Sequence, residues 1–193
     1  MNGEQPHANP QDRCQGFQDL GGAEVANDRG SDYLITVQID PEYEDRLDAA
    51  TLHTLASEVL RAEGVSGPLE VGVLVTTDGE VRSLNRDYLG HDYETDVISF
   101  GMTEEESAGG APAFVTPDER PPYLGDIAIS YDRAADQAPE FGNTPQAEVA
   151  TLLIHGLLHL LGYDDAQDHE RERMHARQHE LLDAFYPGLR TEC

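Results

Sequence analysis

The stretch His155-Gly156-Leu157-Leu158-His159-Leu160-Leu161-Gly162-Tyr163-Asp164-Asp165 governs the reading of this chain. Two histidines four residues apart lie on one face of an α-helix, one turn apart, so both imidazoles can reach one metal ion. Gly162, three residues after the second histidine, can end the helix and turn the chain. Three residues further on, Asp165 can return an oxygen to the same ion. Two histidines, one carboxylate and an open position describe a catalytic zinc site, one Zn2+ per chain, rather than a closed structural one.

As plain core residues, His155 and His159 would be desolvated in a Leu-rich helix with no polar neighbour on their face. A bound metal removes that cost. The third ligand has two candidates. Asp165 has the right offset, although Asp also suits the N-cap of a following helix. His169 is the softer ligand but lies a turn into that helix. His175 and His179 fall at a four-residue spacing on what reads as a solvated face.

Working outward, Thr144-Pro145 opens the metal helix, with Thr as N-cap and Pro at its first position. Glu148 suits its first turn. From Ala147 to Leu161 the helix is apolar almost all round, which predicts a buried central helix. A last helix over about 166–186 turns Met174, Leu181, Leu182 and Phe185 inward. Upstream, Tyr33 to Asp40, Leu69 to Thr77, Val97 to Phe100 and Asp126 to Ser130 read as strands. Residues 44–62 place Leu47, Leu52, Leu55, Ala56, Val59 and Leu60 near a 3.6 period, and Gly64 follows, so a helix is expected there. Asp78 can cap a short helix carrying Val81, Leu84, Asn85 and Tyr88. Residues 101–123, with a Glu run, Gly109-Gly110 and four prolines, read as loop.

The chain of 193 residues carries 38 acidic and 12 basic residues, a net charge of −26, and every basic residue is arginine. The acids are spread among apolar segments, which is neither an acidic tail nor a disordered chain. The composition reads as adaptation to high salt, which screens self-repulsion. GC-rich codon usage accounts for arginine over lysine equally well. No apolar run approaches the ~20 residues of a membrane span, and Met1 to Asp12 lack the order of a secretory signal. Cys14 and Cys193 make neither a zinc spacing nor a disulfide framework, so a reducing cytoplasm is expected. Residues 1–30 read as a disordered tail and 188–193 as a C-terminal tail, flanking one domain over 31–187.

The spacing H-x-x-x-H-x-x-G-x-x-D is similar to that of the metzincin proteases, in which a Glu after the first His serves as general base. Here that position is Gly156, which has no side chain, so peptidase chemistry by that route is not expected. A closer likeness lies elsewhere. HGLLHLLGYDD, with LGDIAIS over Leu124–Ser130 and LN-x-x-Y-x-x-x-D-x-x-T-D-V-I-S-F over Leu84–Phe100, resembles the bacterial YbeY family across about residues 31–187.

That resemblance implies a zincin-like α+β fold, a small mixed sheet packed by helices with a buried metal-binding helix. It also implies a zinc-dependent endoribonuclease that cuts single-stranded RNA, not DNA. The implied role is in 16S rRNA 3′-end maturation and small ribosomal subunit quality control. By motif position the family's zinc ligands fall on His155, His159 and residue 165.

Two departures matter. Position 165 is usually His in the family and is Asp165 here; a carboxylate cancels one unit of metal charge and makes water at such a site less acidic. The residue after the Tyr of the LN-x-x-Y motif is commonly Arg, the family's candidate catalytic side chain, and is Leu89 here. Arg86, one helical turn earlier, is the candidate substitute, with His91 as a second cation nearby. Asp96 and Asp126 read as loop caps or as carboxylates orienting a ligand histidine. The general base stays unassigned among water, Asp165 and the RNA 2′-OH. A different class of function, a ribosome-assembly factor with structural zinc and no turnover, is the alternative, and the missing arginine favours it.

Overall fold

The computed structural model describes residues 23–26, 33–101 and 121–185, the first segment as backbone only. Among these residues the strands form one five-stranded sheet. In chain order they are β1 (Ala23–Ala26), β2 (Tyr33–Ile39), β3 (Leu69–Thr76), β4 (Val97–Gly101) and β5 (Tyr123–Ser130), with spatial order β1-β2-β3-β5-β4. The inner pairs β2–β3 and β3–β5 are parallel, and the outer strands β1 and β4 run antiparallel to their neighbours.

The helices are α1 (Ala49–Ala62), α2 (Asp78–Leu84), α3 (Tyr131–Gln137), α4 (Pro145–Leu160) and α5 (Asp168–Phe185). This is the mixed-sheet α+β architecture expected from the sequence. The alternation of the strands sends Val71, Val73, Val75, Ile127 and Ile129 to one face, where α1 and α4 cover them in the main core. Leu74 and Ala128 point to the other face. There they meet Val81 of α2, with Ile98 and Phe100 of β4, in a second small core.

The predicted caps of α4 are present. Thr144 Oγ1 accepts from the Ala147 amide at 3.2 Å, Pro145 sits in the first turn, and Glu148 follows. The helix is buried on nearly all sides from Ala147 to Leu158. Helix α1 starts later than its apolar period suggested, because Asp48 caps it and accepts from the Ala50 and Thr51 amides.

Four expectations need correction. The reading of residues 1–30 as a disordered tail missed β1, whose backbone pairs with Thr36–Ile39 of β2 at the sheet edge; residues 1–22 and 27–32 lie outside the described residues. Asp78 is not the N-cap of α2: Thr77 is, and Asp78 begins the helix. The same helix passes at Asn85–Leu89 into a π-helical turn that stops at Gly90. Positions 86 and 89 thus lie in a π-helical turn rather than in the regular α-helix that their spacing had assumed. Finally, β5 begins at Tyr123 rather than Asp126, and a short helix, α3, with a 3-10 turn at Ala138–Phe141, follows it where the sequence had given no clear signal. Residues 102–120 of the expected loop, and the C-terminal tail at 188–193, lie outside the described residues.

Candidate metal centre

Helix α4 ends in a Schellman turn. The Gly162 amide donates to the His159 carbonyl at 3.0 Å and the Tyr163 amide to the Leu158 carbonyl at 3.0 Å. Gly162 has φ 90, a left-handed conformation that costs a glycine nothing. The turn brings the Tyr163 carbonyl back over the helix end, 3.1 Å from His159 Nδ1.

A carbonyl can only accept, so His159 carries its proton on Nδ1 and its Nε2 is an open lone pair. His155 Nδ1 lies 3.0 Å from Gln178 Oε1 of α5, which sets the same tautomer. The two Nε2 atoms then face each other at 3.1 Å. Two lone pairs cannot hydrogen-bond to one another. Two nitrogens bound tetrahedrally to zinc at ~2.0–2.1 Å would stand about 3.3 Å apart, so the observed spacing fits a shared cation. Each imidazole is also held by its other nitrogen, as metal-ligating histidines are.

Asp165 Oδ2 is 3.8 Å from His159 Nε2. Among the described residues, His155, His159 and Asp165 form a group whose ligand atoms lie within 4.8 Å of one another. The donor set of two imidazole nitrogens and a carboxylate oxygen suits zinc, whose ligands are of these kinds. His169 is not part of that group. Its ring is exposed, 4.0 Å from Glu170. The pKa of His155 is held below its ordinary value by burial first and by the neighbouring His159 second, which keeps the ring neutral as a ligand must be.

Gly156 faces the sheet. A Cβ there would come within 2.8 Å of Ile127 Cγ2 and 3.0 Å of Ser99 Oγ. The residue that a metzincin uses as base thus has no space for a side chain here, and its absence lets α4 press onto β5 and β4.

A groove of about 360 Å³ opens beside His155, between the 3-10 turn, α4, α5 and the start of β4. Asp96 forms part of its wall. That carboxylate accepts from the Val97 amide at 2.9 Å and from Gln137 Nε2 at 3.2 Å, so it caps its own loop and faces the histidine side. Asp126 does not approach the histidines. It lies on the opposite sheet face, where its Oδ1 occupies the space a Cβ on Gly72 would need.

His175 and His179, expected to be solvated, are exposed at the groove's rim. Sequence reasoning missed Gln178 and Gln137, whose roles rest on contacts from other elements. It had noted Glu148 only as a first-turn acid, yet Glu148 is 3 % exposed and accepts from Gln137 and Asn143.

Arg86 and Leu89 stand apart from this groove. Arg86 Nε donates to Asp87 Oδ1 at 2.9 Å, and both side chains are more than half exposed. Leu89 is 45 % exposed. His91 packs its ring against Tyr93, centroids 5.5 Å apart. No arginine is among the described residues lining the groove.

Comparison with known proteins agrees with this picture. The family model described as Endoribonuclease YbeY matches residues 38–186. An Endoribonuclease YbeY of Roseiflexus castenholzii is 41 % identical over 163 residues, covering 84 % of this chain and 98 % of the relative. One from Bacillus velezensis is 46 % identical over 123 residues, 64 % of this chain and 76 % of that one. The solution structure of TM1509 from Thermotoga maritima superposes with a TM-score of 0.51 at 26 % identity, covering 78 % of this chain and 89 % of that one. No helix among the described residues is long and apolar enough to cross a membrane.

Proposed function

The chain belongs to the YbeY endoribonuclease family, and from that premise we propose that it is a zinc-dependent endoribonuclease selective for single-stranded RNA. Its place of action is the cytoplasm, on the 16S rRNA precursor and the small ribosomal subunit, in 3′-end maturation and quality control. The observation that carries the metal-dependent reading is the pair of Nε2 lone pairs, 3.1 Å apart, beside a carboxylate.

His155, His159 and Asp165 would hold the ion. When bound, zinc supplies Lewis-acid stabilisation of charge on the scissile phosphodiester. Everything else falls to the chain. Gln178 and the Tyr163 carbonyl fix both imidazoles in the tautomer that leaves Nε2 open. The Asp165 side chain is 47 % exposed, so this ligand lies on the solvent side of the site, where substrate arrives. Gly156 carries no base, which directs the site away from the zincin peptidase route.

A second reading, ribosome assembly without turnover, draws on the lack of an arginine among the described residues of the groove wall. The decisive experiment is incubation of the purified chain with short single-stranded RNA, with and without a chelator. Cleavage that disappears with chelator and returns with zinc supports the enzyme; binding without cleavage under both conditions supports the assembly factor.

A further inference from the structure

We propose that the groove beside His155 is a nucleobase subsite, in which one unstacked base of a single strand lies against Phe141 with its polar edge toward Asn143 and Glu148. This rests on the reading of the chain as an RNA-binding enzyme and names how the strand is held there.

Three observations carry it. The first is Phe141. It closes the 3-10 turn at the groove and is 65 % exposed, the most exposed of the large apolar side chains among the described residues. An aromatic ring presented this way offers a stacking face, which any base can use.

The second is Asn143. Its Nδ2 donates to Glu148 Oε2 at 2.6 Å, while its Oδ1 is buried with no hydrogen-bond partner. A buried acceptor without a partner costs free energy that a ligand donor would recover. Glu148, nearly fully buried, offers further acceptor capacity beside it, since each of its oxygens receives a single amide donor. The edge to be matched is therefore rich in N–H groups, such as the exocyclic amine of a base.

The third is charge. Asp96 and Glu148 line the groove, with no arginine beside them among the described residues. A phosphate would be repelled from that wall, whereas a neutral planar heterocycle would not. Val97, Leu152 and Leu182 supply apolar surface for it. The volume of about 360 Å³ admits one base. In a chain with a net charge of −26, base stacking gives a hold on RNA that does not depend on neutralising phosphates.

The test is fluorescence anisotropy on the full chain, using a labelled 2′-O-methyl hexanucleotide and a strand of the same length made of abasic sites. Phe141 is exposed, so Phe141→Ala leaves the fold intact. It should weaken binding of the base-bearing strand at least about fivefold, the lower end for loss of one base–aromatic stack. Phe141→Tyr should restore it, and Asn143→Leu should weaken it in the same direction. The abasic strand should bind all variants alike. Equal affinity of Phe141→Ala and the unmodified chain for the base-bearing strand would overturn the subsite, as would an equal loss on the abasic strand. Cleavage is scored separately on unmodified RNA. Absence of cleavage with the Phe141 effect intact removes the enzymatic reading alone; zinc-dependent cleavage with Phe141→Ala binding unchanged removes the subsite alone.

Discussion

Tyr163 Oη donates to Glu63 Oε2 at 2.8 Å, joining the turn that follows the metal helix to a residue 100 positions earlier. Glu63 also accepts from Arg177 Nε at 2.7 Å, and Arg177 reaches the Ala62 carbonyl. Arg173 lies over the Tyr163 ring, 5.3 Å from its centroid. The end of α1 and the middle of α5 thus hold the turn whose carbonyl orients His159 and whose next residues bring in Asp165. Glu63→Gln or Tyr163→Phe should lower zinc affinity about tenfold, the lower end of the ~10–100-fold range seen for supporting residues around a metal. Competition with a chromogenic chelator measures it. Unchanged affinity in both variants would show that the turn holds its shape without this tie.

The ligand set makes a sharper claim. His155→Ala and His159→Ala should each abolish stoichiometric zinc, and Asp165→Ala should weaken binding more than His169→Ala, whose ring lies outside the group. Metal analysis after dialysis separates these. Zinc retained in both histidine variants would remove the metal centre from this account. A larger effect at His169 would reassign the third ligand. Thermal stability should fall with metal loss, because the ion binds only the folded state.

Gly156→Glu should not create a peptidase. The new side chain would start within 2.8 Å of Ile127 Cγ2, on the sheet side of α4. Overpacking of this kind costs about 1–3 kcal/mol or more. Chemical denaturation should show that loss, and casein should remain uncut. Zinc-dependent proteolysis by this variant would mean that position 156 can turn toward the metal.

Arg86→Ala should alter RNA cleavage no more than Arg61→Ala does. The sequence offered Arg86 as a stand-in for the arginine missing at Leu89, but its guanidinium is engaged with Asp87 and lies outside the groove lining. A drop of tenfold or more in kcat/KM for Arg86→Ala alone would return the phosphate-contacting role to it.

Tyr43 supplies a pH test of the frame. Its hydroxyl donates to Asp132 at 2.8 Å, and its ring stacks on Tyr131 at 4.5 Å. Burial first, then the bond to Asp132, raise its pKa well above the ordinary tyrosine value. A raised folded pKa contributes stability that is complete below the unfolded value, near 10, and is lost as pH rises beyond it. At neutral pH, Tyr43→Phe should cost about 1.5–3 kcal/mol, the range for a hydrogen bond to a charged group. The gap between variant and unmodified chain should narrow above about pH 10. A gap that stays constant across that range would show that the hydroxyl proton is not held by the fold.

The sequence by itself determined the parts set by short-range physics. Two histidines at a four-residue spacing share a helix face whatever surrounds them. Thr144-Pro145 starts a helix and Gly162 stops it through local backbone preferences. Alternating apolar residues mark strands because successive side chains point to opposite faces. Only the tertiary structure decided which distant groups meet that helix. Gln178, Glu63 and Gln137 carry no local signal of their roles, since a polar residue on one element reads the same whether it faces solvent or a histidine. The pairing of β1 with β2 was hidden for the same reason: the four residues Ala23–Ala26 are a strand only when a partner strand supplies the other half of each hydrogen bond. Arg86 shows the reverse case: a local spacing rule assumed a regular α-helix, and the chain forms a π turn at Asn85–Leu89 instead.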